Sequence, residues 1–128
     1  MSERVIPAPV ADPTTKPFWD GAREGRFLIG RCRDTGKHFF PPRGVSPFTL
    51  STAVDLVPAS GRGTLYSYTV MRLAQPYAPA MVELAEGCRI FTNMVDCAFE
   101  ELRIGMAVRL VWKPTEGEGA PVPMFAPA

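Results

Sequence analysis

Histidine occurs once in the 128 residues and cysteine three times. Cys32, Cys88 and Cys97 stand far apart in the sequence, which excludes a disulfide framework and suits a reducing cytoplasm. His38 has no catalytic partner beside it and reads as a hairpin side chain rather than a base. No run of about 18 apolar residues is present, so no membrane-spanning helix is expected. Charge nearly cancels, with 14 basic against 13 acidic residues, leaving no strong field toward nucleic acid or a lipid surface. Met1 to Arg4 lacks the charged-then-apolar plan of a secretory leader, and a cytoplasmic chain is expected. Phosphate loops, paired-carboxylate motifs, metal-ligand clusters and internal repeats are missing. Turn chemistry is plentiful: 11 Gly and 14 Pro leave little room for long helices and favour short strands. Hydrophobic residues at 46% suit one small barrel with a minimal cap.

The stretch that organises the chain is Gly61 to Arg72, where two glycines around Arg62 set a turn and nine residues follow without Gly or Pro. Alternation puts Tyr66, Tyr68 and Val70 on one face and Leu65, Thr69 and Met71 on the other, as in a strand of a small closed barrel. Downstream, Ala80 to Ala85 reads as a strand with Val82 and Leu84 on one face, and Glu86-Gly87 as a tight hairpin. Cys88 to Val95 is its returning strand, and Asp96 to Leu102 holds a single helical turn. Met106, Val108, Leu110 and Trp112 alternate with polar or small residues in the clearest half-buried strand. Pro114 to Pro123 reads as a solvated loop, and Met124-Phe125 as an edge strand.

Upstream, residues 1–14 form a proline-rich extended arm. Thr15 is placed to cap a short helix through Glu24, with Pro17 in its first turn and Gly25 as the stop. So short a helix must dock on something. Arg26 to Arg31 is a strand running into Cys32-Arg-Asp-Thr-Gly36, Lys37 to Phe40 is its return, and Ala53 to Val57 is a short strand linking ribbon to barrel. Strand, tight turn ending in Gly, and returning strand outline a zinc knuckle, in which two cysteines grip one side of the metal. Here the pair is broken: Thr35 stands in place of the second cysteine. At the partner knuckle the chain reads Ser46-Pro-Phe-Thr49. One thiolate does not hold zinc, and Phe39, Phe40, Phe48 and Leu50 are expected to pack the hairpin instead. Cys88 and Cys97 read as buried, inert thiols. Cys32 between Arg31 and Arg33 would be reactive only if exposed.

One order of motifs runs from residue 17 to 125: Pro-Phe-Trp-Asp-Gly, Cys-x-x-(Cys)-Gly, Pro-Pro-Arg, (Cys)-Pro-x-(Cys), Ser-Gly-Arg-Gly-Thr, Glu-Gly-x-Arg and Leu-Arg-Ile-Gly-Met-x-Val. In this order the chain resembles a family long labelled a domain of unknown function, with an N-terminal helix, a rubredoxin-like zinc ribbon and a C-terminal OB-fold. The resemblance implies a mainly β chain: arm, helix and degenerate ribbon in residues 1–58, then a five-stranded OB-fold barrel in residues 59–128. Cys32 is the one family ligand left, with Thr35, Ser46 and Thr49 at the other three positions, so no bound metal is expected.

Members of that family travel with thiolase-like enzymes. The resemblance therefore implies a non-catalytic accessory subunit that helps to bind or cover acyl-CoA. The partner's reaction would be thiolytic cleavage, condensation, acyl transfer or retro-aldol cleavage of a sterol-type side chain. Arg62, Arg72 and Arg89, with Tyr66 and Tyr68, are candidates for the nucleotide and phosphates of CoA or acyl-CoA at a shared site. Phe18, Trp19, Phe39, Phe40 and Phe48 are candidates for the partner interface. A stand-alone CoA-binding module and a single-strand nucleic-acid binder are the alternatives. Near-neutral charge weighs against nucleic acid.

Overall fold

A computed structural model describes residues 4–128. Helix α1, Lys16–Arg23, follows a turn in which the Thr15 hydroxyl accepts the Asp12 N–H (3.0 Å) while the Asp12 carboxylate accepts the Thr15 N–H (2.8 Å). Thr15 is thus the N-cap residue, but its hydroxyl bonds backward into this turn and not into the helix. Gly25, at φ +75°, closes the C-terminus. No helix among the described residues is long and apolar enough to cross a membrane.

Strands β1 (Leu28–Cys32), β2 (His38–Phe39) and β3 (Val54–Pro58) form a three-stranded antiparallel sheet in the order β2-β1-β3. β3, the short strand expected before Pro58, pairs with β1 along its whole length and so belongs to the ribbon sheet. The barrel comprises β4 (Arg62–Tyr68), β5 (Ala78–Leu84), β6 (Arg89–Met94), β7 (Ala107–Lys113) and β8 (Val122–Pro127), closed in the order β4-β5-β6-β8-β7. A 3₁₀ turn, Phe99–Glu101, lies between β6 and β7. This is the expected five-stranded OB-fold. Period-two burial is clean in β5, where Ala78, Ala80, Val82 and Leu84 face inward, and in β6, where Ile90, Thr92 and Met94 do.

The barrel corrects three readings. β4 ends at Tyr68, and a bulge between Leu65 and Ser67 shifts its register. The extra residue breaks the alternation. Leu65 is buried, Tyr66 stands outside, and Tyr68 packs against the core with its hydroxyl donating to the Leu102 carbonyl (3.2 Å). The two tyrosines therefore do not share a face. Secondly, β8 is no edge: it pairs with β7 from Val108 to Lys113 and meets β6 in parallel at Met94 and Phe125, closing the barrel. Thirdly, the 114–121 loop is tied down. Ala120 is buried, the Arg23 guanidinium donates to the Glu118 carbonyl (2.8 Å), and the Glu116 N–H donates to Ile6 in the arm (2.9 Å).

Phe27 joins cap to barrel. Its ring lies within 6.1–6.4 Å, centroid to centroid, of Phe18, Phe40, Trp112 and Phe125, mostly edge to face. Such pairs add about 0.5–1.5 kcal/mol each beyond the area they bury. The short helix and the barrel share one hydrophobic core.

Candidate functional site

The two knuckles of the ribbon converge as the spacing implies, with hydroxyls and a carboxylate in place of thiolates. Cys32 Sγ is fully buried and accepts a 3.1 Å hydrogen bond from Ser46 Oγ, with Thr49 Oγ1 at 4.0 Å. Ser46 Oγ in turn accepts the Phe48 and Thr49 N–H groups (3.1 and 3.2 Å). Thr49 and Ser51 both donate to Asp34 Oδ2, at 2.8 and 2.6 Å, which ties the second knuckle to the first. The bond from Ser46, then that from Thr35, lowers the Cys32 thiol from 9.0 to about 7 despite its desolvation. Hydrogen bonds from Ser51 and Thr49 likewise hold the Asp34 carboxyl below its ordinary value. One thiol and three hydroxyls do not fit a structural zinc ion. No cluster of three or more His, Cys, Asp or Glu able to hold a metal occurs among the described residues.

The aromatic residues expected to pack this hairpin divide. Phe39 is buried and meets Phe48 edge to face (6.3 Å), and Phe40 is half-buried against Phe18. Phe48 is 44% exposed and Leu50 79%, so Leu50 does not pack the hairpin. Of the five interface candidates, Phe18 and Phe39 lie in the chain's own core, whereas Trp19, Phe40 and Phe48 keep accessible surface. Trp19 and Phe40 line a groove of about 430 Å³ between cap and barrel, with Ile6, Pro42, Phe91 and Met124. Phe91, 72% exposed on β6, is its most exposed aromatic and was not singled out in the sequence.

The ligand candidates on the barrel do not form one cluster. Arg89 lies over the Tyr66 ring at 3.8 Å and pairs with Glu83 (3.2 Å). Tyr68 and Arg72 line a separate cleft beside Phe99. Arg62 sits at the other end of β4, about 20 Å from Tyr68 at strand rise, and faces Arg109 of β7 in register. Both of these arginines are exposed, and neither has a carboxylate partner among the described residues. Cys88 and Cys97 are half-buried, and desolvation raises both thiols.

Residues 56–113 match the family described as ChsH2, C-terminal OB-fold domain, and residues 19–45 match ChsH2, rubredoxin-like zinc ribbon domain. A DUF35 domain-containing scaffold protein of Methanocaldococcus jannaschii is 36% identical over 110 residues, covering 79% of this chain and 78% of that protein. The chain belongs to the DUF35 family. A solved relative, the "Ltp2-ChsH2(DUF35) aldolase", superposes with a TM-score of 0.80 at 34% identity, over 93% of this DUF35 chain and 98% of that one. A probable enoyl-CoA hydratase alpha subunit of Thermomonospora curvata is 37% identical over 118 residues. Those residues cover 87% of this chain but 37% of the hydratase subunit, so the DUF35 chain spans little more than a third of that relative.

Proposed function

We propose that this chain is an accessory subunit in acyl-CoA metabolism, without catalytic residues of its own, that docks on a thiolase-like enzyme and helps to bind or cover acyl-CoA. The observation that carries the reading is the near full-length likeness to the DUF35 chain of an aldolase assembly. Two features of the chain itself support it. Among the described residues, none of His38, Cys32, Cys88 and Cys97 bonds to another titratable side chain, so no base–nucleophile pair is formed by them there. An apolar groove bearing Trp19, Phe40 and Phe91 is open where cap meets barrel, and exposed aromatic surface of this kind marks interaction sites. The test is co-expression with thiolase-like enzymes encoded beside it, followed by gel filtration and turnover assays. A stable complex that turns over acyl-CoA while the chain alone does not is the expected result. Elution of the chain alone in every pairing, or turnover by the isolated chain, would overturn it.

A further inference from the structure

OB-folds receive ligands over their second and third strands and the loops after the first and fourth. In this barrel those are β5, β6 and the loops 69–77 and 114–121. A cleft of about 430 Å³ opens there, adjoining the cap groove, with which it shares Ile6, Asn93 and Met124. It is lined by Asn93 and Met94 at the end of β6, by the following residues Val95 to Cys97, and by Tyr77, Lys113 and the arm residues Arg4 and Ile6. Tyr77 is held rigidly: its N–H and carbonyl exchange hydrogen bonds with Met71 (3.3 and 2.8 Å), making the 69–77 loop a small hairpin. The Arg4 guanidinium lies over the Tyr77 ring, 3.7 Å from its centroid, with no carboxylate partner among the described residues. Lys113 also lines the cleft, paired with Asp96 at 2.7 Å.

We propose that this cleft is a nucleotide site, in which a purine ring stacks on Tyr77 and its phosphates are met by Arg4 and Lys113. The planar guanidinium marks an open ring face that accepts a flat group, and aromatic faces in OB-folds stack bases. A purine entering the cleft displaces Arg4 from the ring, and the freed guanidinium turns to the phosphate. The Asp96 carboxylate holds the Lys113 ammonium at the cleft. Nucleotide recognition here rests on the acyl-CoA reading given above, because the phosphorylated adenosine of a CoA thioester is the source that reading supplies. A single-stranded nucleic acid offers the same chemistry, and the test separates the two.

The full chain is titrated calorimetrically with adenosine 3′,5′-bisphosphate, with CoA and with a short oligodeoxyadenylate, and resonances of the 93–97 and 76–77 segments are followed by NMR. Saturable binding of the bisphosphate and CoA is expected, with the largest shifts in those two segments. Tyr77→Leu, which keeps an apolar side chain on the loop, is expected to weaken both about ten- to a hundredfold. Arg33→Ala, an exposed ribbon side chain paired with Asp55, leaves them unchanged. No saturable binding, tighter binding of the oligonucleotide, or loss in Arg89→Ala but not in Tyr77→Leu overturns the site. Gel filtration of the Tyr77→Leu chain with its enzyme keeps the two readings apart. Continued assembly with lost nucleotide binding supports the site, and lost assembly assigns Tyr77 to docking and overturns it.

Discussion

Leu50 occupies in the second knuckle the place that Gly36 occupies in the first. Gly36, at φ +74°, donates its N–H to the Cys32 carbonyl (2.7 Å), and Leu50, at φ +62°, donates its N–H to the Ser46 carbonyl (3.0 Å). Each residue directly follows a ligand-position threonine, so the paired turns of a zinc ribbon persist with one cysteine left of four. The left-handed conformation costs a β-carbon-bearing residue about 1–2 kcal/mol and glycine almost none. Leu50 is exposed and contributes little packing in return. Leu50→Gly is therefore expected to stabilise the chain by about 0.5–1 kcal/mol, after allowing for glycine's larger unfolded-state entropy. Chemical denaturation measures it, and a loss of stability would mean that the leucine side chain does hold the knuckle.

The purified protein is expected to carry no stoichiometric zinc, and chelators are expected to leave its unfolding midpoint unchanged. Elemental analysis giving about one zinc per chain would falsify this, because only Cys32 offers a thiolate. The equivalence of the two turns makes the converse testable. Thr35→Cys, Ser46→Cys and Thr49→Cys together should create a tight zinc site, since the backbone is already arranged for it. A triple variant that stays metal-free in excess zinc would show that the turns have drifted from ligand geometry.

The knuckles, the helix, the Glu86-Gly87 hairpin and the alternating strands were legible because each has a local signature. Gly36 and Gly87 mark left-handed turns, and Val82, Leu84, Val108 and Leu110 carry the period of two. What was illegible is what depends on distant partners. The bulge at Tyr66 adds a residue without any sequence mark, so Tyr66 and Tyr68 were assigned to one face. β8 was legible only as an edge strand at Met124-Phe125, because its role as the closing strand is set by β6 and β7. Arg109 became visible as the neighbour of Arg62 only through strand register. Asp34 and Ser51 sit beside ligand positions, yet nothing in the sequence indicated that a carboxylate would gather the hydroxyls once the metal ligands were gone.

Stability should rise with pH between about 7 and 9, through Cys32. Its thiol falls from the ordinary 9.0 to about 7 in the folded chain because Ser46 and Thr35 donate to the sulfur. Over that interval the unfolded chain binds more protons than the folded one, so unfolding free energy increases with pH. The contribution is complete above the unfolded value and is lost as pH falls through the folded one. Cys32→Ala should flatten this slope while removing the Ser46 bond. Asp34 acts in the acid range with the same sign: its stabilisation holds above the ordinary carboxyl value and fades as pH drops below it. Urea midpoints measured from pH 3 to 9 test both, and a slope that survives in Cys32→Ala would remove the thiol from the account.

Docking on an enzyme partner can be separated from folding because the exposed aromatics and the core aromatics are different residues. Phe18 and Phe27 hold the cap to the barrel, and Trp19 packs edge to face on Phe18 at 4.9 Å. Truncating any of these disturbs the core and confounds a binding test. Phe91 and Phe48 are accessible and lie outside the main cluster, so Phe91→Ala and Phe48→Ala should leave the unfolding midpoint within about 2 °C of the parent, in line with the small effects of surface changes. Buried anchors at an interface are worth about 2 kcal/mol or more on truncation, roughly a thirtyfold loss of affinity. Phe91 lines the cap groove with Trp19 and Phe40, whereas Phe48 projects from the ribbon beside Phe39. If the enzyme engages both surfaces, each single variant weakens co-elution and the double variant abolishes it. If the groove alone is the docking site, Phe91→Ala accounts for the whole loss. Unchanged co-elution of both variants with a partner that binds the parent chain would place the interface elsewhere on the barrel.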